Sequence, residues 1–202
     1  MDTNISTNLH NSCVEIMKVI SIDLDGTLAN TVKPVLRKIA ENEGVKLKMR
    51  QIVRYNISKI SGVSQTRIAE MWHDVWREPE KVPLVDKRIP SIINSLKQDF
   101  KIKILTGSIV DTPNIKKWLE VNNIYYDIFE QLQDWHNKPF SAGEIHIDDH
   151  FSVSKAFAQN KKRMILLEQH WNSGRNSVWN ESEFIRVAKN WRHVERMLAK
   201  EI

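Results

Sequence analysis

The sequence predicts an α/β fold, a parallel sheet with helices on both faces and a small helical insert after the first strand. Three observations predict it. Short apolar runs rich in β-branched residues alternate with amphipathic stretches from residue 18 to the end. Several of these runs stop at Asp-Gly, Thr-Gly or Asp-Asp, the turn chemistry of strand ends. One irregular interval, residues 45–88, carries helical spacing without a convincing strand and interrupts the alternation once.

The elements follow in order. KVISID at 18–23 is a buried strand that ends in Asp-Gly. Residues 32–43 read as a helix stopped by Gly44. Ser64 caps a helix in which Ile68, Met71, Trp72, Val75 and Trp76 recur at helical spacing, and Pro79 ends it. Residues 92–100 are helical, and KIKIL at 101–105 is a strand ending in Thr-Gly-Ser. Pro113 opens a helix through Glu120, because proline suits the first helical turn. Residues 124–129, 144–147 and 163–167 read as strands, 152–159 as a helix, and 183–200 as one final helix.

Composition narrows the function classes. A chain of 202 residues makes one domain, or one domain with a small insert. The expected division is a core of 17–32 and 89–202, with 33–88 as a helical cap. Residues 1–16 are polar, and MKVISIDLDGTL from Met17 reads like a normal start, so 1–16 are expected to be a tail. Cys13 is the single cysteine, which excludes a disulfide framework and a thiolate zinc cluster. No apolar run approaches the roughly 20 residues of a membrane span, and no secretory signal pattern is present. The expected location is cytoplasmic. A formal charge of +5 suits a phosphate-bearing partner.

In open parallel sheets, ligands bind beyond the carboxyl ends of the strands. Those positions hold Asp23, Asp25, Gly26 and Thr27, then Thr106, Gly107 and Ser108, then Asp148 and Asp149. Lys138 lies ten residues before Asp148. Carboxylates from two strand ends are hard oxygen ligands suited to Mg²⁺. Hydroxyls and a lysine are donors for phosphate oxygens. Crowded carboxylates repel unless a cation sits among them. His146 and His150 flank the acidic pair; HIDDH suggests an imidazole metal site less well than it suggests one histidine off the strand and one opening the next helix.

DLDGTL at 23–28, ILTGS at 104–108, Lys138 and IDD at 147–149 resemble, in order, the four motifs of the haloacid dehalogenase superfamily of phosphohydrolases, with a Rossmann-like core. The Lys-x9-Asp-Asp spacing, the short helical insert, and Trp171-Asn172 followed by Asn190-Trp191-Arg192 resemble its 5′(3′)-deoxyribonucleotidase branch, the cytosolic type C nucleotidases. The resemblance implies Mg²⁺, an aspartyl-phosphate on Asp23, and Asp25 as acid and base. It implies Thr106, Gly107, Ser108 and Gly26 around the phosphate, and Lys138 bridging phosphate and Asp23. The metal set it implies is Asp23, Asp25 through its carbonyl, and Asp149, with Asp148 supporting Lys138 or a metal-bound water. Strand alternation is expected to leave only one of Asp148 and Asp149 on the metal.

Trp72 and Trp76, four apart on one helix face, are read either as core or as a platform for a nucleobase. The expected partner is a small phosphorylated substrate, a (deoxy)nucleoside monophosphate first, on a monomer or homodimer. The alternatives are a sugar phosphate, a nucleic-acid 3′-phosphate end, or a non-catalytic binding protein on the same fold. No dense basic stripe with interleaved aromatics marks a polymer groove.

Overall fold

A computed structural model describes residues 17–202; the expected tail, 1–16, lies outside the described residues. The strands are β1 (Lys18–Ile22), β2 (Phe100–Thr106), β3 (Ile128–Gln131), β4 (Ile145–Asp148), β5 (Met164–Leu167) and β6 (Ile185–Ala188). All pair in parallel, in the order β3-β2-β1-β4-β5-β6. The chain therefore starts mid-sheet, winds to one edge through β3, and returns past β1 to the other edge. The reversal point lies between β1 and β4, where a crevice opens beyond the strand ends.

Period-two alternation divides the sheet's faces. Ile20, Ile22, Ile102, Ile104, Ile145 and Ile147 enter one large core. Helices α1 (Val32–Glu43), α4 (Ile89–Leu96), α5 (Thr112–Val121) and α8 (Trp191–Leu198) supply apolar partners to that core. A smaller cluster joins Met164, Leu166 and Ile185 to Phe151 and Phe157 of α7 (Phe151–Gln159). Ser21, His146 and Asp148, the alternate residues of β1 and β4, are buried and polar.

The interval 45–88 is helical, as expected. It contains α2 (Ser58–Ser61) and α3 (Gln65–Trp76), with 3-10 turns at Met49–Gln51 and Pro79–Lys81. The Ser64 side chain caps α3 by accepting the Arg67 amide, a contact worth about 1 kcal/mol. Gly44 ends α1 in the left-handed region at φ 71°, which glycine adopts without a Cβ penalty.

Two expectations fail. The strand expected at 124–129 begins at Ile128, because a helix-terminal turn with Asn123 at φ 53° delays it. The helix expected at 183–200 is two elements. Residues Ile185–Ala188 pair with β5 as β6, and α8 starts only at Trp191, where Asn190 accepts the His193 amide as its cap. Phe184, Ile185, Ala188 and Trp191 are spaced as on a helix, and the short strand hides inside that spacing.

Candidate active site

Asp23 follows β1, and its amide donates to the Ile147 carbonyl of β4 at 2.9 Å. That pairing brings the end of β1 beside Asp148, the last residue of β4. Asp149 lies one residue beyond the strand, so alternation does not send it to the far face. Asp23, Asp148 and Asp149 each place a carboxylate oxygen within 4.8 Å of the others. Lys138 opens α6 (Lys138–Ser141). Its buried ammonium donates to Asp23 Oδ1 at 2.7 Å and to Asp148 Oδ2 at 2.6 Å.

Each acid has its own anchor. Asp25 Oδ1 accepts from Trp76 Nε1 at 3.3 Å. Asp149 Oδ1 accepts from Thr27 Oγ1 at 3.0 Å, and its Oδ2 from Trp171 Nε1 at 2.7 Å. Asn172 Nδ2 donates to the Asp149 carbonyl at 2.7 Å. Gly26 stands at φ 83°, and a Cβ there would lie 2.4 Å from Asp149 Oδ2. Its role is to let that carboxylate approach the turn, since no side chain fits between them.

The charges are unbalanced. Burial, aided by Asp148 and Asp25, pushes the Asp23 carboxyl up to about 7 against the pull of Lys138. Burial also raises Asp25, which Ser108, Thr31, Trp76 and Trp72 oppose. Asp149 is raised well above the usual carboxylate range by burial and by the charges of Asp148 and Asp23. Asp148 goes the other way: burial opposes its charge, but Lys138 and His146 outweigh it and hold the group below that range. Burial likewise opposes the Lys138 charge, and Asp148 and Asp23 outweigh it, leaving the ammonium firmly protonated. One lysine does not neutralise so many buried carboxylates. Their hard oxygen donors suit a divalent cation, which would remove the remaining repulsion.

A cavity of about 590 Å³ opens over this cluster. Its floor is Asp23, Asp25, Thr106, Gly107, Ser108, Lys138, Asp148 and Asp149, all expected from the sequence. Its walls carry Tyr55, Trp72, Trp135, His150 and Trp171, with Arg54 and Arg175. That size and mixture suit a small organic ligand with a polar group held at the floor.

No profile of a known protein family matches the chain. It is 24% identical to a 5′(3′)-deoxyribonucleotidase of Bacillus subtilis (strain 168) over 183 residues, 90% of this chain and 98% of the relative. A haloacid dehalogenase-like hydrolase of Streptococcus pneumoniae superposes with TM-score 0.64 at 13% identity, covering 91% of this chain and 98% of that one. The crystal structure of a predicted phosphatase from Clostridium acetobutylicum gives TM-score 0.63 at 13% identity, covering 92% of this chain and all of the other. The chain shares the fold of haloacid dehalogenase-like hydrolases and is similar along most of its length to a deoxyribonucleotidase.

The structure separates residues that the sequence grouped. Trp72 lines the cavity, but Trp76 does not: it is fully buried, packed edge-on against Trp118, with its indole N–H on Asp25. Gly26 is likewise absent from the cavity wall. His150 opens α7, as expected, and its ring meets Tyr55 edge-on at 4.5 Å. His146 stays outside the metal-competent cluster and bonds Asp148 through Nε2 at 3.1 Å. Trp135 and Arg175 had no sequence signal of their own. Trp171, named from the sequence only for its resemblance to the deoxyribonucleotidase branch, holds Asp149.

Proposed function

We propose that the chain is a Mg²⁺-dependent phosphomonoesterase that works through an aspartyl-phosphate and acts on (deoxy)nucleoside monophosphates. The observation that carries this reading is the Lys138 ammonium bonded to both Asp23 and Asp148, with Asp25 and Asp149 beside it, at the floor of one cavity. Asp23, Asp149 and Asp148 are the carboxylates that would hold the ion, together with the Asp25 carbonyl. The ion would supply positive charge against the phosphoryl oxygens and the acids.

Asp23 attacks phosphorus through a carboxylate oxygen, and the bond to the leaving oxygen breaks. Asp25, whose carboxyl burial shifts toward the protonated form, gives that oxygen its proton. Water then attacks the acyl-phosphate, Asp25 takes its proton, and inorganic phosphate leaves. Lys138 offsets charge on the phosphoryl group and on Asp23. The Thr106 hydroxyl and the Gly107 and Ser108 amides receive phosphate oxygens.

Tyr55 and Trp72 reach the cavity from the interval between β1 and β2, and we read residues 33–88 as a cap over the site. With Trp135 they offer aromatic faces suited to a base. The 24% identity to a deoxyribonucleotidase supports the same substrate class.

The test is turnover with Mg²⁺ on a panel of nucleoside monophosphates, sugar phosphates and 3′-phosphorylated oligonucleotides. Nucleoside monophosphates should turn over fastest, and Asp23→Asn should abolish turnover. Full activity in that variant would overturn the mechanism; preference for another ester would overturn the substrate reading alone.

A further inference from the structure

His146 is completely buried in β4, a position where an aliphatic side chain would suffice for packing. It stacks on Phe157 with ring centroids 4.9 Å apart at 11°. A buried imidazole costs stability unless both its nitrogens find partners. Both do, and the partners lead into the site. Nε2 lies 3.1 Å from Asp148 Oδ2, the oxygen that also accepts from Lys138. Nδ1 lies 2.9 Å from Ser21 Oγ.

We propose that His146 is a positioning residue: it holds Asp148, and through Asp148 holds Lys138 against Asp23, while Ser21 fixes its tautomer. Proton assignment follows from the partners. Asp148 Oδ2 offers lone pairs, so Nε2 must carry the hydrogen. The Ser21 hydroxyl, 2.9 Å from Nδ1, is the donor that meets the lone pair of the other nitrogen. The alternative, Nδ1–H donating to the Ser21 carbonyl at 3.1 Å, would turn a lone pair of Nε2 toward the carboxylate and repel it. Ser21 Oγ accepts from the Gly143 amide at 3.2 Å, and its own hydrogen has a shorter reach to Nδ1 at 2.9 Å than to the Ile145 carbonyl at 3.4 Å.

The chain Gly143–Ser21–His146–Asp148–Lys138–Asp23 thus runs donor to acceptor as far as Asp148. The His150 amide donates to Asp148 Oδ1 at 2.7 Å and completes the carboxylate's setting. With both oxygens held, Asp148 has one orientation, and the Lys138 ammonium is aimed between Asp148 and Asp23. Glycine at 143 is part of the device. A Cβ there would lie 2.2 Å from the Val19 carbonyl oxygen and push the amide off Ser21.

This inference rests on the phosphoryl-transfer reading of the site, and the test separates the two. With full-length protein, Mg²⁺ and p-nitrophenyl phosphate, His146→Phe keeps the stacking and removes the donor. It should lower kcat about 10–100-fold, the usual cost of losing such a partner, and weaken inhibition by inorganic phosphate. His146→Gln places an amide N–H where Nε2 stands and should restore most of both. A kcat for His146→Phe within about twofold of wild type, or equal loss in both variants, would overturn the proposal. Should the variants fail to fold, the wild-type ring decides. Its ¹⁵N resonances at neutral pH should show Nε2 protonated and Nδ1 bare, and a proton on Nδ1 would overturn the assignment. Wild-type protein inactive on every phosphate ester would instead overturn the reading of the reaction, leaving the ring measurement valid.

Discussion

Asp149 gives up both oxygens to neighbours before any ligand arrives: Thr27 takes one and Trp171 the other. Those contacts orient a buried carboxylate whose repulsion by Asp148 and Asp23 would otherwise turn it away. Trp171→Phe keeps the ring and removes the N–H. The expected outcome is weaker Mg²⁺ binding, about tenfold, read by the Mg²⁺ concentration that half-saturates turnover. Near-normal kcat at saturating metal should accompany it. If metal demand is unchanged, the indole serves packing alone. The acids of this site were legible because each sits at a strand end with a turn residue beside it. Their anchors were not. Trp76, Trp171 and His146 are ordinary core residues by spacing, and only the fold shows that one polar atom of each faces a carboxylate.

At the scale of elements, strands bounded by turn chemistry were readable, and β6 was not. Ile185–Ala188 is short, and its apolar positions run into those of α8 with only Asn190 to mark the break. Non-local pairing is what makes it a strand, and that pairing is invisible in a window of sequence. A tie beyond α8 holds this edge. Glu201 Oε2 accepts from Arg163 at 2.6 Å, its Oε1 from Arg186 of β6 at 2.5 Å, and its carbonyl from Lys18 of β1 at 2.5 Å. The Arg163 hydrogen bond holds the Glu201 carboxyl below its ordinary value; burial opposes it, and the Arg186 hydrogen bond adds to the lowering. A carboxylate whose pKa falls on folding stabilises the fold above its unfolded pKa, and that contribution is lost as pH drops through the folded value. Glu201→Gln should therefore cost about 1 kcal/mol at neutral pH, as an ion pair near the surface does. The gap to wild type should close as pH falls below about 4, where the unfolded carboxylate protonates. Urea melts at neutral and acid pH check it; a gap independent of pH would mean that the charge is irrelevant and only shape matters.

For the whole molecule, the balance of charge has two parts. Residues 1–16 hold two acids, Asp2 and Glu15, and no lysine or arginine, so residues 17–202 carry 30 basic against 23 acidic residues. Four of those acids, Asp23, Asp25, Asp148 and Asp149, are buried together at the sheet's reversal point. A basic surface thus surrounds an acidic floor, a field that draws an anion toward a cluster of carboxylates suited to a cation. The floor is also a store of unfavourable energy, because raised carboxyls at Asp23, Asp25 and Asp149 mean that the fold resists their charge. Binding a cation only to the folded state must then raise stability, by about 2.7 kcal/mol at a hundred times the dissociation constant. For a chain of this length each kcal/mol shifts Tm by about 2–4 °C, so saturating Mg²⁺ should raise Tm by roughly 5–10 °C. Asp149→Asn removes one of the opposed charges while keeping the contacts, since the amide oxygen accepts from Trp171 and the amide N–H donates to the Thr27 hydroxyl. Without metal that variant should melt higher than wild type, and with Mg²⁺ it should lose most of the upshift and the activity together. Thermal melts of both proteins with and without Mg²⁺ decide it. A variant that melts lower than wild type without metal would show that Asp149 stabilises the fold by its bonds more than it strains it by its charge.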